Sequence, residues 1–411
     1  MKRHRSIDEA VAKVAAGTVC LAEAIRNDPE LSGSEFRAAA RCVSVLCEHG
    51  FEIDERAGGL PTAFVASRRF GSGRVRVAFL AEYDALPGIG HGCGHHLIAA
   101  SAVGAGLAAA LIATDADDLE LQVIGTPSEE TIGGKVVLAE AGVFDGLDGA
   151  LMFHAGHEWR TFTDSLACQS VEVLFGGKSA HAVASPEAGV NALDAMIDLF
   201  MAVRALRGRF SREVRIPGVI LEGGSRANIV PDRAVARFSV RAPSAEERER
   251  VVTSLISIVE EIGKDQGCRT LVRPVDNPYD EMSTNVSLAT ILREELLARG
   301  RVTNDAPRRG KGSLDAGNLS RRAPAVHAYL PAAPPSLALH TREFGEAAAG
   351  PACEEALMTA SAAMAATALR LAHDAEILAR VREEFHAMPR PALPRRWPLL
   401  TREPEARVDG P

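Results

Sequence analysis

Three short strand-like segments, Val75 to Leu80 (apolar but for Arg76), Leu119 to Ile124 and Gly149 to Phe153, alternate with helical patterns at His95 to Ala113 and Lys135 to Ala141. This rhythm limits the fold more than any other feature of the chain. Runs of that length bounded by turn residues suit parallel strands buried on both faces. Strand, helix, strand, helix, strand builds a sheet flanked by helices, and ligands of such sheets gather beyond the carboxyl ends of the strands. Each run leads into residues able to bind a metal or move a proton: His91 to His95, Glu129-Glu130, and His154. Three turns are therefore expected to meet at one sheet edge.

The rhythm changes after about residue 168. Strands at Val171 to Phe175, Val219 to Glu222, Ala236 to Arg241 and Thr270 to Arg273, with helices at Asn191 to Leu206 and Glu246 to Gly263, give a βαββαβ order. That is a ferredoxin-like unit. Its second helix opens on a capping box, Ser244 with Glu247. Residues 6 to 50 read as helices, the second closed by Gly50, and further helices are expected at Val286 to Leu297 and Glu354 to Leu371. The fold class expected is α/β. A catalytic domain with a largely parallel sheet (1–167 and 282–388) is interrupted by an inserted ferredoxin-like domain (168–281), and an irregular tail (389–411) follows. Arg390, Arg395 and Arg396 stand among prolines and read as solvated.

At 411 residues the chain exceeds what one core usually serves, in keeping with two domains. A formal net charge of −8 with no dense basic stripe argues against a nucleic-acid partner. No stretch holds eighteen uninterrupted apolar residues, and Met1 to Asp8 lacks the apolar run of a signal peptide. The expectation is a cytoplasmic protein without a membrane partner. Seven scattered cysteines do not resemble a secreted disulfide framework, and most are expected to be buried small hydrophobes. Cys93 differs, being surrounded by histidines and glycines.

In His91-Gly92-Cys93-Gly94-His95-His96 a thiolate lies two residues from an imidazole, a pair suited to a borderline cation such as zinc. A thiolate can also bridge two ions. Of the adjacent Glu129 and Glu130, one can bind metal while the other takes a proton from the attacking water. The glycines at 88, 90, 92 and 94 suggest a dinucleotide fingerprint, but the spacing fails: Cys93 and His95 stand where glycine is required.

The run Ala81-Glu82-Tyr83-Asp84-Ala85-Leu86-Pro87-Gly88-Ile89-Gly90-His91-Gly92-Cys93-Gly94-His95 resembles the metal-site signature of the aminoacylase-like metallopeptidases, peptidase family M20. The branch is that of p-aminobenzoyl-glutamate hydrolases, auxin-conjugate hydrolases and β-alanyl dipeptidases. Further matching stretches occur in order from Asn27 to Thr341. They include Asn27-Asp28-Pro29-Glu30-Leu31, Gly125-Thr126-Pro127-Ser128-Glu129-Glu130, Ser179-Ala180-His181-Ala182, Asn228-Ile229-Val230-Pro231-Asp232 and His340-Thr341.

The resemblance implies two divalent ions (zinc, manganese, cobalt or nickel) bridged by Cys93, with His95 and His154 completing one site and Glu130 and His340 the other. It also implies Glu129 as general base, and Asp84 as the carboxylate that orients a ligand histidine. His181, reaching a partner subunit's site in a homodimer formed by the inserted domain, would stabilise the oxyanion. Asn228 would touch substrate. Arg241 could pair with a substrate carboxylate through its forked guanidinium, although an ordinary surface ion pair explains it equally well. Taken alone, His154 would pass for a polar cap after a strand, His181 for a surface histidine and Asn228 for a turn residue.

Two departures stand out: His96 replaces the usual asparagine or aspartate, and Gly92 replaces a common alanine. The first could alter metal preference or hydrogen bonding around the ligands; the second is expected to loosen the turn. The activity expected is hydrolysis of an amide bond in a small N-acyl or N-aminoacyl compound. Hydrolytic deamination at a non-peptide carbon–nitrogen bond, and metal-dependent binding without turnover, are the alternatives.

Overall fold

A computed structural model describes residues 2–306, 312–389 and 395–403. They fall into two compact units, one drawing on Met1–Asp164, Met282–Gly310 and Asp315–Arg390, the other on Ser165–Glu281, Lys311–Leu314 and Pro391–Pro411.

The strands in chain order are β1 (Glu52–Glu55), β2 (Phe64–Arg69), β3 (Val75–Ala81), β4 (Leu119–Gly125), β5 (Gly149–Gly156), β6 (Ala167–Gly176), β7 (Gly218–Glu222), β8 (Arg233–Ala242), β9 (Arg269–Pro274) and β10 (Ala325–Pro331). The larger unit holds a six-stranded sheet ordered β1-β2-β4-β3-β5-β10. Strands β4, β3, β5 and β10 run parallel, whereas β1 and β2 form an antiparallel margin. All seven residues of β4 and all eight of β5 are buried, as strands covered on both faces must be.

Helix His95–Ala110 is buried along its whole length, because alanine, glycine and leucine leave it apolar on every side. It packs between the sheet and helices Lys2–Asn27 and Pro351–His373. The register pairs Ala81 of β3 with Gly125 of β4, so both strands end level, and His154 lies near the end of β5. The turns that carry the candidate ligands thus share one edge of this unit.

In the smaller unit β6 to β9 form an antiparallel sheet ordered β7-β8-β6-β9, with helices Ala192–Leu206 and Ala245–Gln266 packed on it. Ser244 caps the second helix by accepting the N–H of Glu247 at 3.2 Å. Of the tail expected at 389–411, residues 390–394 and 404–411 lie outside the described residues. Residues 395–403 carry no helix or strand, and Arg395 and Arg396 are exposed, although Arg396 is tied down. It bonds Glu249 at 3.1 Å, while Trp397 packs against the core of the smaller unit and Leu400 N donates to Asn277 at 2.8 Å. The prolines hide an aromatic anchor. All seven cysteines are free, four of them buried.

Candidate metal centre

Gly94 sets the position of the first ligands. Its φ of 75° is one that side chains disfavour, and a Cβ there would lie 2.3 Å from the Cβ of Ala155. The turn after β3 can therefore press against β5 and start the next helix with His95 beside His154, their ring centroids 5.6 Å apart. Gly92 does more than loosen the turn. Its missing Cβ leaves room for the carbonyl oxygen of Thr341, which would stand 2.9 Å from one, and its own carbonyl accepts the N–H of His340 at 3.0 Å. His340 itself adopts a left-handed backbone, φ 64°.

Three groups of donor atoms result, each within 4.8 Å of one another: Cys93, His95 and His154; Cys93, Glu130 and His340; His95, Glu129 and Glu130. The first two share the thiol. Cys93 Sγ lies 3.5 Å from His154 Nε2, and Glu130 Oε1 lies 3.7 Å from His95 Nε2 and 3.6 Å from His340 Nε2. Asp84 ties the centre together: Oδ1 meets His95 Nδ1 at 3.0 Å, while Oδ2 accepts the Glu130 N–H at 3.0 Å and the Ser32 hydroxyl at 2.7 Å. His96 turns away, its Nε2 donating to the carbonyl of Ala348 at 2.8 Å.

The donor set fits a cation. His95 Nε2 and Glu130 Oε1 are buried without a hydrogen-bond partner, a costly state that a shared positive ion relieves. Burial holds His154 near 4, hence neutral, as a ligand imidazole must be. Burial also pushes the Cys93 thiol above its usual range, partly opposed by a bond from His95, so a cation is needed to take the place of its proton. Although burial opposes it, the Asp84 carboxylate raises His95 well above the ordinary imidazole value. Burial, reinforced by Asp315, Glu130 and Glu82, raises Glu129 well above the ordinary carboxyl value.

The smaller unit holds the remaining candidates. The exposed His181 accepts N–H groups of Val183 at 3.2 Å and Ala184 at 3.1 Å on Nδ1, which places its proton on Nε2. Asn228 adjoins it, since its carbonyl accepts the N–H of Ala182 at 3.0 Å and His181 pairs with Ile229. Arg241 is not grouped with them by these contacts. Half-buried, it donates to Ser313 Oγ at 3.2 Å.

Residues 168–266 match the family model of the peptidase dimerisation domain of M20 enzymes. The fold is similar to that of a dinuclear metal-binding peptidase from the M20 family of Bacillus subtilis. The TM-score is 0.68 at 19% identity, over 88% of this chain and 99% of that one. The chain is 34% identical to the mouse Xaa-Arg dipeptidase across 92% of its own length and 90% of that protein. It belongs to the M20 peptidase family. Another relative, the N-acetyl-L-cysteine deacetylase of Bacillus subtilis, is 30% identical over 57% of this chain and 61% of that one.

Around the M20 donor cluster the structure adds residues to which sequence reasoning gave no role. Glu35 accepts the backbone N–H of Ser128 at 2.9 Å, just before the glutamate pair. Lys135 is wholly buried between Glu82 at 2.5 Å and Asp315 at 2.8 Å. His327 stacks on His154 with centroids 5.4 Å apart. These partners are far apart in the chain. The nearest available signal is a charged residue, Lys135, directly before the apolar run Val136 to Ala139 of helix Gly134–Glu140.

Proposed function

We propose that the chain is a metal-dependent amidohydrolase that cleaves the amide bond of a small N-acyl or N-aminoacyl compound, with Glu129 as general base. One observation carries this reading: two donor triads share Cys93, and the Glu129 carboxyl stands among the donors of a third overlapping group. Cys93, His95 and His154 would hold one divalent cation and Cys93, Glu130 and His340 a second; when bound, such ions polarise a carbonyl and lower the pKa of water. Zinc, manganese, cobalt and nickel all suit mixed sulfur, nitrogen and oxygen donors.

Glu129 takes the proton of the attacking water and passes it to the leaving nitrogen. Asp84 fixes His95 through Nδ1, leaving Nε2 as the coordinating atom. The Nε2–H of His181 is the proposed donor to the oxyanion, reaching the site of a partner subunit, with Asn228 beside it against substrate. Arg241 is assigned to a substrate carboxylate; beside its bond to Ser313 the guanidinium carries further N–H donors.

Homodimer formation through the smaller unit is supported by its match to the dimerisation domain and by exposed apolar side chains. Val219, Ile220 and Leu221 stand exposed on edge strand β7, as do Ile197 and Met201 on helix Ala192–Leu206. Among the described residues no helix is long and apolar enough to cross a membrane. A cytoplasmic location remains part of the proposal.

The test compares wild type and Glu129→Gln at equal metal content on dipeptides, N-acyl amino acids and aryl amides. Release of a carboxylic acid and an amine by wild type, with a loss of about 10²-fold or more in the variant, is expected. Equal activity of the two proteins would overturn the assignment of the base, and release of ammonia alone would overturn that of the bond.

A further inference from the structure

Glu82 and Asp84 follow β3 at alternate positions, and both converge on the ring of His95. Asp84 takes Nδ1. Glu82 Oε2 lies 3.5 Å from Nε2 on the other side, too long for a good N–H···O bond. Neither Glu82 Oε2 nor His95 Nε2 has a hydrogen-bond partner, and Glu82 is 1% exposed. A carboxylate so deeply buried needs a compensating charge.

Half of that compensation is present. Glu82 Oε1 meets Lys135 Nζ at 2.5 Å, and Lys135 is held in turn by Asp315, through Nζ at 2.8 Å and through its backbone N–H at 3.0 Å. One ammonium between two carboxylates balances one of their two negative charges. The unpartnered oxygen of Glu82 lies beside His95, one of the three donors Cys93, His95 and His154. Two ligands each about 2.1 Å from a common tetrahedral ion stand about 3.4 Å apart, close to the separation of Glu82 Oε2 from His95 Nε2 and to the 3.5 Å between Cys93 Sγ and His154 Nε2.

We propose that Glu82 is a further donor to the cation held by Cys93, His95 and His154, presented to it by Lys135. This rests on the dimetal reading above and adds a carboxylate to it. Lys135 is a positioning residue: it occupies one oxygen of Glu82 and thereby fixes the direction of the other. The added charge strengthens the hold on a hard divalent ion at a site otherwise built from sulfur and nitrogen.

Crystals of the wild-type protein soaked in manganese or zinc give the direct test through an anomalous-difference map. A peak among Cys93, His95 and His154 with a Glu82 oxygen within about 2.6 Å is expected. The same peak with both Glu82 oxygens beyond about 3 Å would overturn this inference and leave the dimetal reading intact, whereas no peak there would overturn both. In solution, cobalt titrations of Glu82→Gln should show one of two ions bound at least about tenfold more weakly, with a changed visible spectrum. An isotherm and spectrum like those of wild type would overturn the proposal. Should that variant not fold, the wild-type map still decides.

Discussion

Glu35 holds Ser128 in a left-handed backbone conformation: its carboxylate accepts the Ser128 N–H at 2.9 Å and the hydroxyl at 3.3 Å, and φ of Ser128 is 62°. The next two residues are Glu129 and Glu130. A contact remote from the donor atoms therefore sets where both carboxylates emerge.

Burial, with the charge of Asp84, raises Glu35 from an ordinary 4.5 to about 7 despite bonds from Gly33, Ser128 and Thr62. The folded chain binds this proton more tightly than the unfolded chain. Its contribution to stability is thus complete below pH 4.5 and lost as pH rises through 7. The full effect is on the order of 3 kcal/mol. Urea unfolding at several pH values should show wild type losing stability relative to Glu35→Gln across that window; a constant difference would contradict it.

Asp84→Asn removes the charge that orients His95 while nearly keeping the side chain's shape. Metal affinity is expected to fall about 10–100-fold, the usual cost of losing such a partner. Competition with a chelator measures it, and an unchanged affinity would remove Asp84 from the centre.

Gly94→Ala should destabilise the larger unit for two separable reasons, an unfavourable φ worth about 1 kcal/mol and overlap with Ala155 worth about 1–3 kcal/mol. The double variant with Ala155→Gly is expected to recover the second part only. Thermal unfolding of the three variants against wild type closes the cycle; additive losses would show that the two positions do not press on each other.

His181→Ala is expected to lower kcat by about 10²–10³-fold without changing bound metal, because the donor acts on charge that develops during reaction. Equal kcat, or metal lost in parallel, would contradict that role.

The parallel strands were legible because burial on both faces leaves apolar runs that need no partner to recognise, as at Gly149 to Phe153. The smaller unit was legible from its order of elements and from Ser244. Strand β1 escaped notice because Glu-Ile-Asp-Glu at the sheet margin is mostly exposed and carries no apolar pattern. In β10, His327, Tyr329 and Pro331 interrupt the run. Helix Ala375–Ala387 was overlooked although Asp374 caps it and Ile377, Leu378 and Val381 are buried at helical spacing. Around the donors, motif residues stood out because they crowd into short turns. Lys135 with Asp315 and Glu35 with Ser128 did not, since each pair is joined only by the fold.

The candidate donors Cys93, His95, Glu130 and His154 precede the main segment of the smaller unit, Ser165–Glu281, whereas His340 follows that segment. A ribosome must therefore translate the whole intervening segment before the last imidazole exists. On the proposed ligand assignment, loading of a second ion would be a late event in biogenesis, because a nascent chain ending at residue 281 lacks the His340 donor.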